Sequence, residues 1–264
     1  MMLDNIKIGF IGFGNMAKAM ADGFIFKEAI KPNQIYACAR NWDKLCANTI
    51  DKGINPCKTA EELVEKSDIV VIAVKPYLIP NVITPIREKL KGKIVISVAA
   101  GYSFEKYEAL LCPGTSHLST IPNIPVSIGE GIIIAENRHS LSKEEYKIVE
   151  ELFSKISLLQ LVDSNQLSIA GTLSGCGPAF TSMFIEALAD AAVKHGLTRD
   201  VSYKLASQMV AGTGKLQIAT GQHPGQMKDA VCSPGGTTIV GVAILERKGL
   251  RSSVIDAIDA IETK

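Results

Sequence analysis

Up to about Val162, short uninterrupted apolar runs alternate with stretches whose apolar positions recur every three or four residues. That alternation is the pattern of strand–helix–strand units wound around a parallel sheet. Runs such as IVVIAV and IVISVA carry no polar alternation, as strands covered by helices on both faces should not. Strands are predicted over residues 7–11, 35–39, 69–74, 94–98 and 132–135. Thr59, followed three residues on by Glu62, predicts a capping box that opens a helix over 59–65. Beyond Val162 the strand-like runs give way to small-residue-rich helical patterns over 179–195, 200–220, 237–248 and 251–262. The fold class is therefore α/β: an N-terminal Rossmann-type parallel sheet in residues 1–162, then an all-helical C-terminal domain in residues 163–264.

In the first of those late helices Phe180, Phe184, Leu188 and Ala191 recur at three- and four-residue spacing, with Glu186, Asp190 and Lys194 elsewhere on the wheel. A short helical region with several such stripes has more apolar face than it can bury alone. It is expected to pack against its copy, giving at least a homodimer through the helical domain.

Composition narrows the function. The 264 residues are 47% hydrophobic and 21% charged, enough to build one large core or two modest ones. A formal charge of +1 with both signs evenly mixed leaves no basic face for a phosphate backbone, so a small molecule is expected as substrate and nucleic acid is not. No stretch approaches the roughly 20 apolar residues that span a bilayer. The opening MMLDNIKIGFIGFG has Asp4 ahead of Lys7 and two glycine turns directly after, which reads as a buried strand rather than a secretion signal. Cys38, Cys46, Cys57, Cys112, Cys176 and Cys232 show no CxxC pair and no histidine at ligand spacing, which predicts reduced thiols in a cytoplasm and neither a metal site nor disulfides. His117, His139, His195 and His223 are scattered and are expected at the surface or as caps.

KIGFIGFGNMAKAM sets Gly12-x-Gly14-x-x-Ala17 between an apolar strand and an Ala/Met-rich helix, the context in which this motif binds a dinucleotide. The first glycine permits the turn, the second admits the pyrophosphate, and the small third residue lets helix and strand close up. Taken alone, the motif also fits a glycine turn in another α/β protein. The second strand reads IYACAR, with no acid to take the ribose hydroxyls before Asp43; Arg40, then Asn41 and Lys44, offer a cation and donors suited to a 2′-phosphate. NADP(H) is therefore expected over NAD(H), though a solvated surface arginine remains the alternative for Arg40. The expected cofactor site comprises Gly12, Phe13, Gly14, Asn15, Met16, Ala17, Arg40 and Asn41, with Ala73, Val74, Lys75, Pro76, Ala99, Ala100 and Gly101 on later loops. GTGK at 212–215 is not a phosphate loop, because Leu216 stands where Ser or Thr is required.

Late in the chain, CSPGGTTIVGVAILE places Gly235 and Gly236 ahead of Thr237 and Thr238 at the start of a helix. Unobstructed backbone N–H groups at a positive dipole end make a receptor for a small anion such as a carboxylate, although a plain Ser/Thr cap reads the same way in isolation. AVKP, PNIP followed by GEG, SGCGPAF and this last block together resemble pyrroline-5-carboxylate reductases, in the same order and over nearly the whole chain. The resemblance implies hydride delivery from NADPH to the C=N carbon of 1-pyrroline-5-carboxylate, giving L-proline. It places substrate against Ser233, Gly235, Gly236, Thr237 and Thr238, with Thr238 on the ring nitrogen as the catalytic residue, and it implies dimers that associate further, into a ring such as a decamer. Ser119 departs from the arginine usual in that family, and Cys176 from a serine; the latter reads as packing. A β-hydroxyacid dehydrogenase is the competing enzyme, disfavoured because the helix from Pro178 has no lysine before Lys194. A regulatory relative that binds cofactor with little turnover is the competing non-enzyme.

Overall fold

The computed structural model describes Leu3 and residues 5–263; Asp4, used above against a secretion signal, lies outside them. The chain divides into two compact units that meet at Gly175 and Cys176, whereas the sequence pattern changes earlier, after Val162.

Among the described residues, eight strands form the sheet of the first unit: β1 (Ile8–Ile11), β2 (Ile35–Cys38), β3 (Asn55–Pro56), β4 (Ile69–Ile72), β5 (Ile94–Ser97), β6 (Ser116–Pro122), β7 (Gly131–Glu136) and β8 (Ser157–Val162). Their order is β3-β2-β1-β4-β5-β6-β7-β8, parallel throughout except where β6 and β7 run antiparallel. Interleaved with them are α1 (Asn15–Phe26), α2 (Trp42–Thr49), α3 (Ala60–Lys66), α4 (Ile79–Ile83), α5 (Phe104–Glu108) and α6 (Lys143–Ser154). Every residue of β1, β4 and β5 is buried. Successive side chains point to opposite faces of a strand, and here they feed two separate cores. Ile8, Phe10, Ile69, Val71, Ile94 and Ile96 join α1 and α6 on one side, where Phe24 stacks on Phe153 with centroids 6.4 Å apart. Ile11, Val70, Ile72 and Val95 join Leu63, Ile79, Ile83 and Tyr107 on the other. A sheet wrapped on both faces explains the unbroken apolar runs.

Three strands escaped the sequence pattern for physical reasons. Two-residue β3 is too short to show a period. β6 buries His117, Ser119 and Thr120, and so lacks an apolar run. The two hydroxyls find carbonyl partners on other segments: Thr120 Oγ1 donates to the Ser97 carbonyl at 2.6 Å and Ser119 Oγ to that of Tyr102 at 3.0 Å. β8 lies at the sheet edge and leaves Leu158 exposed. The predicted capping box forms by half. Thr59 Oγ1 accepts the Glu62 N–H at 3.1 Å, but the Glu62 carboxylate takes the Lys58 N–H at 2.8 Å instead of that of Thr59. The reciprocal box caps α6, between Ser142 and Glu145.

After β8 come α7 (Leu167–Lys194), α8 (Arg199–Thr220), α9 (Pro224–Ala230), α10 (Thr237–Arg247) and α11 (Leu250–Glu262). GTGK sits inside α8, in helix rather than a phosphate-binding loop. The helix expected from residue 179 begins instead at Leu167 and carries Pro178 in its interior. A proline removes the N–H that would bond the carbonyl four residues back, here that of Ser174. Asn123, on the segment after β6, supplies the missing donor: its Nδ2 reaches the Ser174 carbonyl at 3.0 Å, while its Oδ1 accepts the Ile132 N–H at 2.8 Å. Of the predicted stripe, Phe184 and Ala191 are exposed and Phe180 and Leu188 half-buried, and elsewhere in the second unit Met183, Leu205, Ile218, Val231, Val240 and Ile255 are exposed as well. No helix among the described residues is long and apolar enough to cross a membrane.

Candidate functional site

The turn from β1 into α1 is built for an anion. Gly12 adopts φ +90°, and a side chain there would meet the Ala73 carbonyl oxygen at 2.6 Å, so the position excludes every residue with a Cβ. Its N–H bonds the Cys38 carbonyl at 2.9 Å, and the Ala73 N–H bonds that of Ile11 at 2.8 Å, which carries the sheet ladder into the turn. Gly14 is the N-cap of α1, and a Cβ on it would meet nothing within 4 Å, which leaves room for a ligand to approach the backbone. No side chain caps α1 and no acid occupies its first turn, so its free N–H groups and positive end face the turn.

Around this turn, at the C-terminal ends of β1, β2 and β4, opens a cleft of about 1260 Å³. Its size, the obligate Gly12 turn and the uncapped helix start fit a dinucleotide. Of the residues expected from sequence, Gly12, Gly14, Asn15, Met16, Arg40, Ala73, Val74, Lys75, Pro76, Ala99 and Ala100 line it. Phe13 and Ala17 do not; both are buried behind the turn, Phe13 edge-on to Phe10 with centroids 6.1 Å apart. Asn41 also turns away, because its side chain caps α2 by accepting the Lys44 N–H at 2.9 Å. Gly101 lies just past the lining, in a left-handed turn at φ +75°. Lys58, Glu61, Asn81 and Ile124 line the cleft without having been expected. No motif marks Lys58, which follows the two-residue β3. Cys38 also forms part of the wall; burial, the largest influence, pushes its thiol up to about 12, so it meets a ligand as a neutral group.

The second unit holds the other predicted cluster in one turn. The Gly236 N–H donates to the Ser233 carbonyl at 3.0 Å, Gly235 takes φ +68°, and Gly236 is the extended N-cap of α10. Thr237 and Thr238 form the first turn of that helix, exposed, with neither a side-chain cap nor an acid beside them. Ser233, Gly235, Gly236, Thr237 and Thr238 thus frame a set of backbone donors of the kind a carboxylate accepts. A Cβ on Gly236 would sit 2.4 Å from Ser233 Oγ, so a side chain there requires that hydroxyl to turn away.

The histidines divide. His223 caps α9, accepting the Gly225 N–H at 3.1 Å. His139 stacks on Tyr146, and burial holds its pKa below the ordinary value. His117 corrects the expectation of a surface or capping role: it is buried in β6, its Nε2 lies 2.8 Å from Glu108 and its ring stacks on Phe104 at 4.5 Å. His195 is exposed directly after α7.

Residues 164–264 match the family model described as pyrroline-5-carboxylate reductase dimerisation, and residues 7–101 that described as NADP oxidoreductase, coenzyme F420-dependent. The chain is 45% identical over 259 residues to the pyrroline-5-carboxylate reductase of Treponema pallidum, covering 97% of this chain and 98% of that one. It is 38% identical over 252 residues to the Escherichia coli enzyme of the same name, covering 95% and 94%. Among solved structures it is similar to Plasmodium falciparum pyrroline carboxylate reductase with NADP bound, at a TM-score of 0.88 and 32% identity, covering 98% of this chain and 96% of that one. With both halves matched in order and the signature blocks placed as described, the chain belongs to the pyrroline-5-carboxylate reductase family.

Proposed function

We propose that this protein reduces the C=N bond of 1-pyrroline-5-carboxylate to give L-proline, the last step of proline biosynthesis, with NADPH preferred to NADH. The observation that carries the reading is the turn before α10, an uncapped helix start behind two glycines, in a chain whose other unit has a dinucleotide cleft. The free backbone N–H groups of Thr237 and Thr238 orient the substrate carboxylate. Thr238 Oγ1 hydrogen-bonds the ring nitrogen, an interaction that strengthens as the nitrogen gains its lone pair. Arg40 and Lys44 hold a 2′-phosphate, and Ala73, Val74, Lys75 and Pro76 border the nicotinamide. When bound, NADPH supplies the hydride that adds to the imine carbon. A protein acid is not required, because the ring nitrogen arrives protonated from water and keeps that proton when the hydride adds to carbon.

The family match to a dimerisation domain supports a homo-oligomer. Its finer form in this reading is a homodimer through the second unit, open to assembly into a ring such as a decamer; the cysteine pattern points to the cytoplasm. Loss of NADPH absorbance on adding 1-pyrroline-5-carboxylate tests the activity, with 3-hydroxyacids and NADP+ as the control. Turnover of the hydroxyacid alone would favour a β-hydroxyacid dehydrogenase, which α7 disfavours by offering no lysine between Pro178 and Lys194. Cofactor binding without turnover of either substrate would favour the regulatory relative.

A further inference from the structure

Three cations from three segments line the dinucleotide cleft: Arg40 two residues beyond β2, Lys44 in the first turn of α2, and Lys58 two residues beyond β3. Strands β2 and β3 are parallel neighbours, Tyr36 opposite Asn55 and Ala37 opposite Pro56, so their C-terminal ends open on the same edge of the sheet. Ligands of such sheets bind at that edge. Four lysines on the same unit have carboxylates: Lys52 pairs with Asp22, Lys66 with Glu62, Lys89 with Glu65 and Lys91 with Glu88. Among the described residues, Arg40, Lys44 and Lys58 enter no salt bridge, and against them the lining sets one carboxylate, that of Glu61.

Lys58 is also held in place. Its N–H is bonded to the Glu62 carboxylate at 2.8 Å, and Glu62 is in turn matched by Lys66 at 2.7 Å. Its ammonium lies 5.9 Å from the ring centre of Trp42, the first residue of α2, within the range at which an aromatic face attracts a cation. A long flexible side chain is thereby biased toward the α2 side of the cleft, where Arg40 and Lys44 stand. Ala60, the next lining residue, adds only a methyl group beside it.

We infer that Lys58 is a specificity-determining residue for the cofactor, a third cation on the 2′-phosphate of NADPH, positioned by Trp42. The inference rests on the proposed preference for NADPH and adds a residue outside the glycine motif and the end of β2. A phosphate with three cations around it is bound through charge-assisted contacts, whereas a ribose hydroxyl gains almost nothing from Lys58.

Trp42 is the only tryptophan of the chain, so its emission reports directly on this corner. Binding of 2′,5′-ADP and of 5′-AMP to the full-length protein would be titrated by that emission, alongside the KM ratio of NADH to NADPH. Lys58→Met is expected to weaken 2′,5′-ADP about tenfold and to lower the KM ratio by a similar factor, with 5′-AMP shifted less than about twofold. Lys58→Arg, which keeps the charge, should restore most of both. Trp42→Leu, read by KM ratio alone, should fall between parent and Lys58→Met. Equal weakening of 2′,5′-ADP and 5′-AMP by Lys58→Met, or no weakening of either, overturns the role of Lys58. Arg40→Asp separates the two levels of argument. If it narrows the KM ratio while Lys58→Met does not, the NADPH preference stands and Lys58 falls; if the parent shows no preference, both fall.

Discussion

Replacing Asn123 with alanine tests how the proline inside α7 is accommodated. Asn123 is buried and bridges two backbone groups, the Ser174 carbonyl and the Ile132 N–H. Its removal orphans both. Each buried, unpaired group costs about 1–3 kcal/mol, so Asn123→Ala should destabilise the protein by about 2–6 kcal/mol. The two contributions can be separated, because Pro178→Ala returns an N–H four residues after Ser174, where a helix would bond it. In the Asn123→Ala background that second change should recover about 1–3 kcal/mol relative to its effect in the parent, leaving the Ile132 N–H unpaired. Urea unfolding followed by circular dichroism provides the four free energies of the cycle. It must be run at one protein concentration, since the stability of an oligomer depends on it. A loss under about 1 kcal/mol for Asn123→Ala, or a coupling energy near zero, would show that the Ser174 carbonyl is satisfied in some other way.

Three further outcomes are expected. Thr238→Ala removes one donor that acts mainly in the transition state and should lower kcat by up to about 10²-fold, while Gly236→Val, crowding Ser233 Oγ, should raise KM for the pyrroline and leave NADPH affinity nearly intact; unchanged kcat in the first, or parallel loss of both affinities in the second, would remove the turn from the site. Cys38, a neutral thiol in the cleft wall, should resist iodoacetamide at pH 8 while half-buried Cys46 reacts, as mapped by peptide mass spectrometry. Its folded value lies above the ordinary thiol value of about 8.5, so the stability gained by keeping it protonated is fully present below that pH and is lost as pH rises toward about 12; Cys38→Ala should flatten the alkaline fall in stability. Light scattering at micromolar concentration should give at least a dimer mass, and a monomer would contradict the exposed apolar face of the second unit.

What was legible from sequence tracks how strongly a physical constraint acts on residue type. Strands β1, β4 and β5, buried on both faces, could only be apolar, and their runs announced them. The glycine turn was legible because Gly12 has no alternative at φ +90° against the Ala73 carbonyl. β6 was not, because its buried polar side chains find partners on neighbouring segments that no local pattern displays, as Thr120 does on Ser97. The start of α7 was missed because Pro178 reads as a boundary, whereas the residue that lets the helix run through it, Asn123, lies in a different signature block. Lys58 was missed because its relation to Arg40 exists only through the pairing of β2 with β3.

The two margins of the sheet have a consequence for how copies of this chain meet. An unpaired strand edge is a template for another chain's backbone. At β3 the template is two residues long and includes Pro56, which has no N–H to offer. At β8 it is six residues long, and there the Gln160 side chain folds back to donate to the Leu161 carbonyl at 2.8 Å, occupying one of the acceptors another chain would use. Backbone-to-backbone extension is thus nearly closed at one margin and hindered at the other, while the helices of the second unit display side chains rather than free peptide groups. Contacts between copies are thereby steered toward side-chain complementarity and away from ladder growth, which has no built-in end.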